Sequence, residues 1–360
     1  MPEPLTRTTL PASRGGLLLL IAAVSVASLV AACLFGPVNI PVGRVLGILA
    51  QGMGLAAPGP DTDPLWKAVV LDMRLSRVCL SWLVGAALGL SGCVFQGLLR
   101  NPLADPFTLG VSAGAAFGAS LAIFLGLAGR RLIEGSGLFS GLDALPPAGM
   151  LGALAALTAV ILLARAGGRL KRETLVLGGI VVATFLSALI SLIKSLDEES
   201  VAGIVFWIMG SFQGRGWAHV LVFVPYFLLG LAPVLLLARE LDLLSLGETQ
   251  ARQLGVNVSR VRLILLVAAS LLAGAAVSVS GVIGFVGLMV PHLMRLILGA
   301  EHRPLLPACG LAGGMLLLWA DVLARTIPPH GAELPVGVVT ALLGGPFFCL
   351  LLRRRAGGLS

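Results

Sequence analysis

The sequence predicts an all-α, polytopic membrane protein of about ten transmembrane helices, arranged as two five-helix halves of inverted topology. Three observations carry that prediction. Of the 360 residues, 57% are hydrophobic and only 12% charged, against roughly 25% charged in an ordinary soluble domain. Apolar stretches of about 20 residues, the length that crosses a hydrocarbon core, recur along the whole chain. A run of small residues is echoed 189 residues further on.

Taken in order, the apolar windows place helices near 17–36, 72–98, 106–127, 147–166, 173–196, 216–238, 259–281, 283–299, 304–323 and 335–352. The first follows Arg7 and Arg14 and ends Leu29-Val30-Ala31-Ala32-Cys33, the outline of a lipoprotein signal with its acceptor cysteine. More membrane follows it rather than a polar exported domain, so it reads as a retained helix. The connections 37–71 and 128–146 are rich in Gly and Pro and read as irregular surface structure. Asp197-Glu198-Glu199 makes an acidic connection, and Trp207 and Trp217 flank a short apolar stretch that reads as an interfacial helix with tryptophan anchors. The chain is thus one transmembrane domain over 1–360, with a first half of about 17–196, a second of about 216–352, and one long polar connection at 239–262.

An even number of spans puts both termini on one side. With the termini in the cytoplasm, sixteen of the 25 Lys and Arg residues lie inside and nine outside, the bias that the positive-inside rule expects of a bacterial inner-membrane protein. That distribution also accounts for the net charge of +8: the basic residues are scattered over short connections, not gathered into a face for nucleic acid. Cys33, Cys79, Cys93, Cys309 and Cys349 all lie in apolar runs without CxxC spacing and read as packing residues, with neither metal nor disulfide.

Gly85-Ala86-Ala87-Leu88-Gly89-Leu90-Ser91-Gly92 in the second helix matches Gly274-Ala275-Ala276-Val277-Ser278-Val279-Ser280-Gly281 in the seventh, and the same offset carries Pro102 onto Pro291. Helices two and seven are five spans apart and so cross in opposite senses, as inverted repeats require. Such repeats place a transport pathway between the halves. Gly85/Gly89, Gly110/Gly114/Gly118 and Gly310/Gly314 are spaced for close helix packing. Asn101-Pro102-Leu103-Ala104-Asp105-Pro106 and Gly281-Val282-Ile283-Gly284-Phe285-Val286-Gly287 interrupt helices, and broken backbone at membrane depth must face protein or water. These two runs are the candidates for lining or gating a path.

The spans hold no chain of buried Asp, Glu and His that would suggest a proton relay. Asp321 is the exception, and Arg325 one helical turn later is its natural partner. His292 beside Pro291 reads as a local hydrogen-bonding group, since a metal site needs several ligands. The sequence contains no GxxxxGK[ST] loop, so ATP could enter only through a partner. Within the 239–262 connection, Gly247 and Gly255 bracket a short helical stretch that begins at Glu248, a shape suited to docking on such a partner.

At Arg74-Leu75-Ser76-Arg77, Gly92 to Gln96, Arg100 to Pro106, Leu109 to Ala115, Gly247 to Gly255, Gly284 to His292 and Glu333 to Gly337, the chain resembles the FecCD family of permeases for vitamin B12, heme and ferric siderophores. The resemblance covers nearly the whole chain, and it departs from the family pattern at Ser76, where proline is usual. It implies an ATP-binding cassette (ABC) importer built from two permeases, either a homodimer or a pair with a related permease. A cytoplasmic ATPase dimer carrying ATP and Mg and a periplasmic substrate-binding protein complete it, with no catalytic residue or cofactor in this chain. It implies ATPase coupling through Gly247, Glu248, Gln250, Ala251, Leu254 and Gly255. It implies docking of the binding protein at Arg74, Arg77 and Arg325, and a pathway shaped by Gln96, Asn101, Pro102, Gly284, Gly287 and Pro291. The expected cargo is a metal chelate, a ferric siderophore first, then heme or cobalamin. A secondary carrier driven by an ion gradient would need intramembrane acids, and a membrane-embedded enzyme would need a catalytic cluster; neither pattern is present in the sequence.

Overall fold

A computed structural model describes residues 14–56, 63–130, 143–165, 171–328 and 332–356. Arg7, Arg131 and Arg169, together with parts of the connections at 37–71 and 128–146, lie outside them. The chain runs through α1 (Arg14–Ala32), α2 (Val42–Gly52) and α3 (Pro64–Ala68), then passes through a π-helical turn at Val69–Leu75 into α4 (Ser76–Leu99). A single 3₁₀ turn, Pro106–Leu109, precedes α5 (Val111–Phe124), α6 (Leu145–Ala164) and α7 (Arg172–Leu196). The remainder is α8 (Glu198–Ile208), α9 (Trp217–Leu236), α10 (Ala238–Leu246), α11 (Glu248–Gln253), α12 (Val258–Ser280), α13 (Val286–Leu298), α14 (His302–Thr326) and α15 (Val336–Ala356).

Among the described residues, seven helices are long and apolar enough to cross a membrane: α1, the continuous helix Pro64–Leu99 that ends in α4, α6, α7, α9, α12 and α14. The other three predicted windows hold the shorter apolar helices α5, α13 and α15. α4 and α12 are apolar all round, and both are buried along almost their whole length, which makes them the axis of the bundle.

That axis is tight because small residues replace bulk where helices cross. A methyl on Gly85 or Gly89 would overlap the Gly313 and Cys309 carbonyls of α14, and one on Gly114 or Gly118 would overlap Gly152 and Ala148 of α6. Without a hydrophobic drive between helices in lipid, such close backbone contact supplies the dispersion energy of association. The predicted Gly310 and Gly314 act differently: they make room for the Leu90 side chain and the Trp82 indole, while Gly313 is the residue that meets Gly85.

The 37–71 connection departs from the irregular structure expected of it. Its α2 buries Val45, Ile48 and Leu49, spaced i, i+3, i+4, against Val70, Val78, Leu318 and Val322 in a small second core. The short helix expected between Trp207 and Trp217 lies instead at α8, which ends just after Trp207 and whose N-terminus Asp197 caps by accepting from Glu199 N. Trp207 is buried rather than interfacial.

The bundle has two opposite ends. One carries the end of α1, the start of α4, the end of α14 and the start of α15, and is called the arginine end below. The opposite one carries α10 and α11.

Candidate functional site

At the α10–α11 end, Gly247 has φ 145° and Gly255 φ 84°, conformations that strain any residue with a side chain. The two glycines isolate α11 as the short helix that their spacing predicts. Ala251 is fully buried and anchors it, whereas Gln250 faces outward and Leu246 and Leu254 are 64% and 60% exposed. Glu248, at the first turn, accepts from Arg262 of α12 and lies 3.7 Å from Arg252. Burial raises its carboxyl pKa, but the Arg262 hydrogen bond and the charges of Arg262, Arg172 and Arg252 outweigh that, and the pKa is lowered from its ordinary value. The result is a rigid helix outside the long spans, with exposed leucines beside exposed charge.

α10 is pinned from two sides. Arg100, the last residue associated with α4 and itself left-handed at φ 51°, donates through Nε (3.2 Å) and Nη2 (2.6 Å) to the Leu244 carbonyl. Asp242 Oδ1 accepts from the backbone N of His302 at 2.9 Å and from its ring Nδ1 at 2.6 Å. Arg100 opens one of the motifs read from the sequence, but neither its role on α10 nor Asp242 and His302 stood out there, because each is an ordinary polar residue at a helix end until its partner is known.

The helix interruptions lie where the sequence places them, one beside each end. α12 stops at Ser280, the backbone turns at Gly281 (φ 71°) and Phe285 (φ 68°), and α13 begins at Val286. Gly287 is pressed against Gly92 of α4, with no room for a methyl on Gly92. Buried Gln96 donates from Nε2 to the Gly287 and Leu288 carbonyls at 3.2 and 3.3 Å, and its Oε1 accepts from Arg295. Pro291 is buried within the same α13. Gln96, Gly287 and Pro291 therefore share the α4–α13 contact, whereas Gly284 stands clear before it with open space beside its Cα. Exposed Asn101 and half-buried Pro102 form the turn after α4, where Asn101 Oδ1 accepts from Leu103 N at 2.9 Å. Asp105 caps the 3₁₀ turn by accepting from Thr108 N at 3.0 Å, and burial pushes its carboxyl up to about 6, against the opposing pull of its Thr108 and Phe107 backbone hydrogen bonds.

At the arginine end, the side chains of the three arginines expected at a docking face bond within the chain. Arg74 is 4% exposed and donates to the carbonyls of Cys33 (3.1 Å), Leu34 (3.4 Å) and Val38. Arg325 is 5% exposed and donates to Phe35 and Ala32, both at 3.1 Å. Together they bond the last carbonyl of α1 and those of the turn after it, beside the negative end of the helix dipole. Arg77 donates to Asp321 through Nε (3.0 and 3.1 Å) and Nη2 (2.8 Å), and through Nη1 to both Glu333 oxygens at 2.9 Å. Asp321 is thus held chiefly by Arg77, and the expected partner Arg325 stands at 3.6 Å. Beside this knot, a cavity of about 300 Å³ is lined by Trp207, Ser211, Gln213, Arg215, Ser280 and Glu333.

Comparison with known proteins bears on both ends. The model of the FecCD transport family matches residues 19–354. An uncharacterized ABC transporter permease of Bacillus subtilis is 44% identical over 90% of each chain. A hemin transport system permease of Yersinia pestis is 44% identical over 81% of this chain and 85% of its own. Among solved structures, a metal-chelate type ABC transporter in an inward-facing conformation superposes with a TM-score of 0.79 at 34% identity, covering 94% of this chain and 99% of that one.

Proposed function

This chain belongs to the FecCD transport family, and from that membership we propose that it is the permease subunit of an ABC importer that moves a metal chelate from periplasm to cytoplasm by alternating access. Ferric siderophores are the first candidates for the cargo, with heme and cobalamin next. In this reading ten helices span the inner membrane as two inverted halves, both termini are cytoplasmic, and two permease copies enclose the path. In support, α4 starts at the arginine end, whereas α12 starts at the α10–α11 end, the opposite senses that inverted halves require.

The ATPase seats on α11, and a binding protein docks at the arginine end. The observation that carries the reading is α11 itself: a helix isolated by two positive-φ glycines, anchored by Ala251, and flanked by exposed Leu246 and Leu254 outside the long spans. Arg74, Arg77 and Arg325 would then shape the docking face by holding the 32–38 turn and Glu333 in place. Asn101, Pro102 and Gly284 in the helix interruptions, with Gln96, Gly287 and Pro291 in the helices beside them, would shift as access alternates. No observation favours the gradient-driven carrier.

The test is a pull-down from detergent-solubilised membranes followed by a vanadate-sensitive ATPase assay with and without the candidate binding protein. An ATPase subunit whose hydrolysis responds to the binding protein supports the importer. A clean permease with no ATPase partner and no hydrolysis refutes it.

A further inference from the structure

We propose that Asp242, His302 and Arg100 form the joint through which movement of α10–α11 enters the bundle, an inference that rests on reading α11 as the ATPase seat. Asp242 and Leu244 lie two residues apart on α10. The first receives the leading backbone N–H and the imidazole of α14; the second receives two guanidinium N–H groups from the end of α4. Charge-assisted bonds of this kind are short and directional, so α10 cannot slip along its neighbours as it could over an apolar contact.

The imidazole is locked from behind as well. The ring sits close over Gly97 of α4, where an added methyl would stand 2.7 Å from His302 Nε2, so it is packed between α4 and Asp242. Beyond the joint, α4 and α14 cannot slide past each other, because Gly85 and Gly89 are seated on the Gly313 and Cys309 carbonyls. The same pair of helices ends in the Arg77–Asp321 knot. A displacement of α10 is therefore delivered as a rigid-body shift of α4 and α14 to the arginine end. Glu248–Arg262 offers α11 a second outlet, into α12, whose far end at Ser280 lines the cavity beside the knot, so the two routes are told apart by substituting the joint alone.

Asp242, His302 and Arg100 are positioning residues, so the test must separate transmission from folding. The permease, co-purified with its ATPase subunit in nanodiscs, is followed by hydrogen exchange on adding ATP and vanadate. In the wild type the exchange changes both at 241–256 and at the arginine end, in 69–79 and 333–338. In Asp242→Ala and His302→Ala the change at 241–256 persists and the change at the arginine end falls at least twofold. His302→Asn, which keeps an N–H donor near the Nδ1 position, restores it. Arg100→Gly removes the guanidinium but suits the φ of 51°, so it reports on the second pin without backbone strain, and it too lowers the arginine-end response.

A full arginine-end response in Asp242→Ala, His302→Ala and Arg100→Gly overturns the joint, as does a wild type that responds at 241–256 alone. A wild-type preparation that retains no ATPase subunit overturns the seat on α11 and the joint with it.

Discussion

Asp321 is the residue on which the arginine end depends most. It is fully buried in α14, and Asp321→Asn removes its charge while leaving the side-chain shape. Three N–H···O contacts from Arg77 at 2.8 to 3.1 Å then lose their ionic partner, as does the 3.6 Å contact from Arg325. Removing one member of a buried pair leaves an uncompensated charge and costs about 3–5 kcal/mol. Arg77 keeps both of its 2.9 Å bonds to Glu333, so the expected loss is at the lower end, about 3 kcal/mol. Glu333→Gln is milder, about 1–2 kcal/mol, since Asp321 remains and the hydrogen bonds survive in neutral form. Denaturant unfolding in mixed micelles, with a double-mutant cycle between Asp321→Asn and Arg77→Gln, should show a coupling above about 1 kcal/mol. An Asp321→Asn protein within about 1 kcal/mol of wild type, or a coupling under about 0.5 kcal/mol, would refute the view that this pair closes the arginine end.

Three further outcomes follow from the geometry. Arg74→Gln strands the carbonyls of Cys33, Leu34 and Val38 and should destabilise the isolated permease by about 2 kcal/mol or more, with faster hydrogen exchange at 32–38; an unchanged melt would mean that this guanidinium is free for a partner. Gly92→Ala drives a methyl into the Gly287 backbone and should cost about 3 kcal/mol, at the top of the overpacking range, as read by thermal unfolding. Asp105 has a folded pKa raised from 3.8 to about 6, so the stability contributed by its protonated form is complete below about 4 and is lost as pH rises through about 6. Relative to Asp105→Asn, which keeps the acceptor for Thr108, wild type should lose up to ~3 kcal/mol across that window and nothing further above it; parallel pH profiles of the two proteins would count against a buried, titrating Asp105.

Much of the architecture was legible along the chain. Long apolar windows marked the membrane-crossing helices because hydrocarbon thickness sets their length, and α11 was legible because only glycine tolerates the φ of 145° and 84° that bound it. α2 was not, because its three buried side chains form too short a stripe to stand out in a Gly- and Pro-rich segment until Val70, Val78, Leu318 and Val322 are brought against it. The arginines show the same limit more sharply. Their place at the ends of spans was legible, but not that each finds carbonyls or carboxylates within the chain, and a desolvated guanidinium is stable only when so paired.

Composition, window length, small-residue spacing and motif order thus determined by themselves that this is an all-helical membrane permease of a known family, since hydrophobic length and glycine conformation are local properties. Only the tertiary structure decided which charges meet. Arg77 and Asp321 are 244 positions apart, and Asp242 and His302 are 60 apart. A pair becomes an ion lock or a joint only when helix packing closes it to hydrogen-bond distance and removes the water that would otherwise screen it.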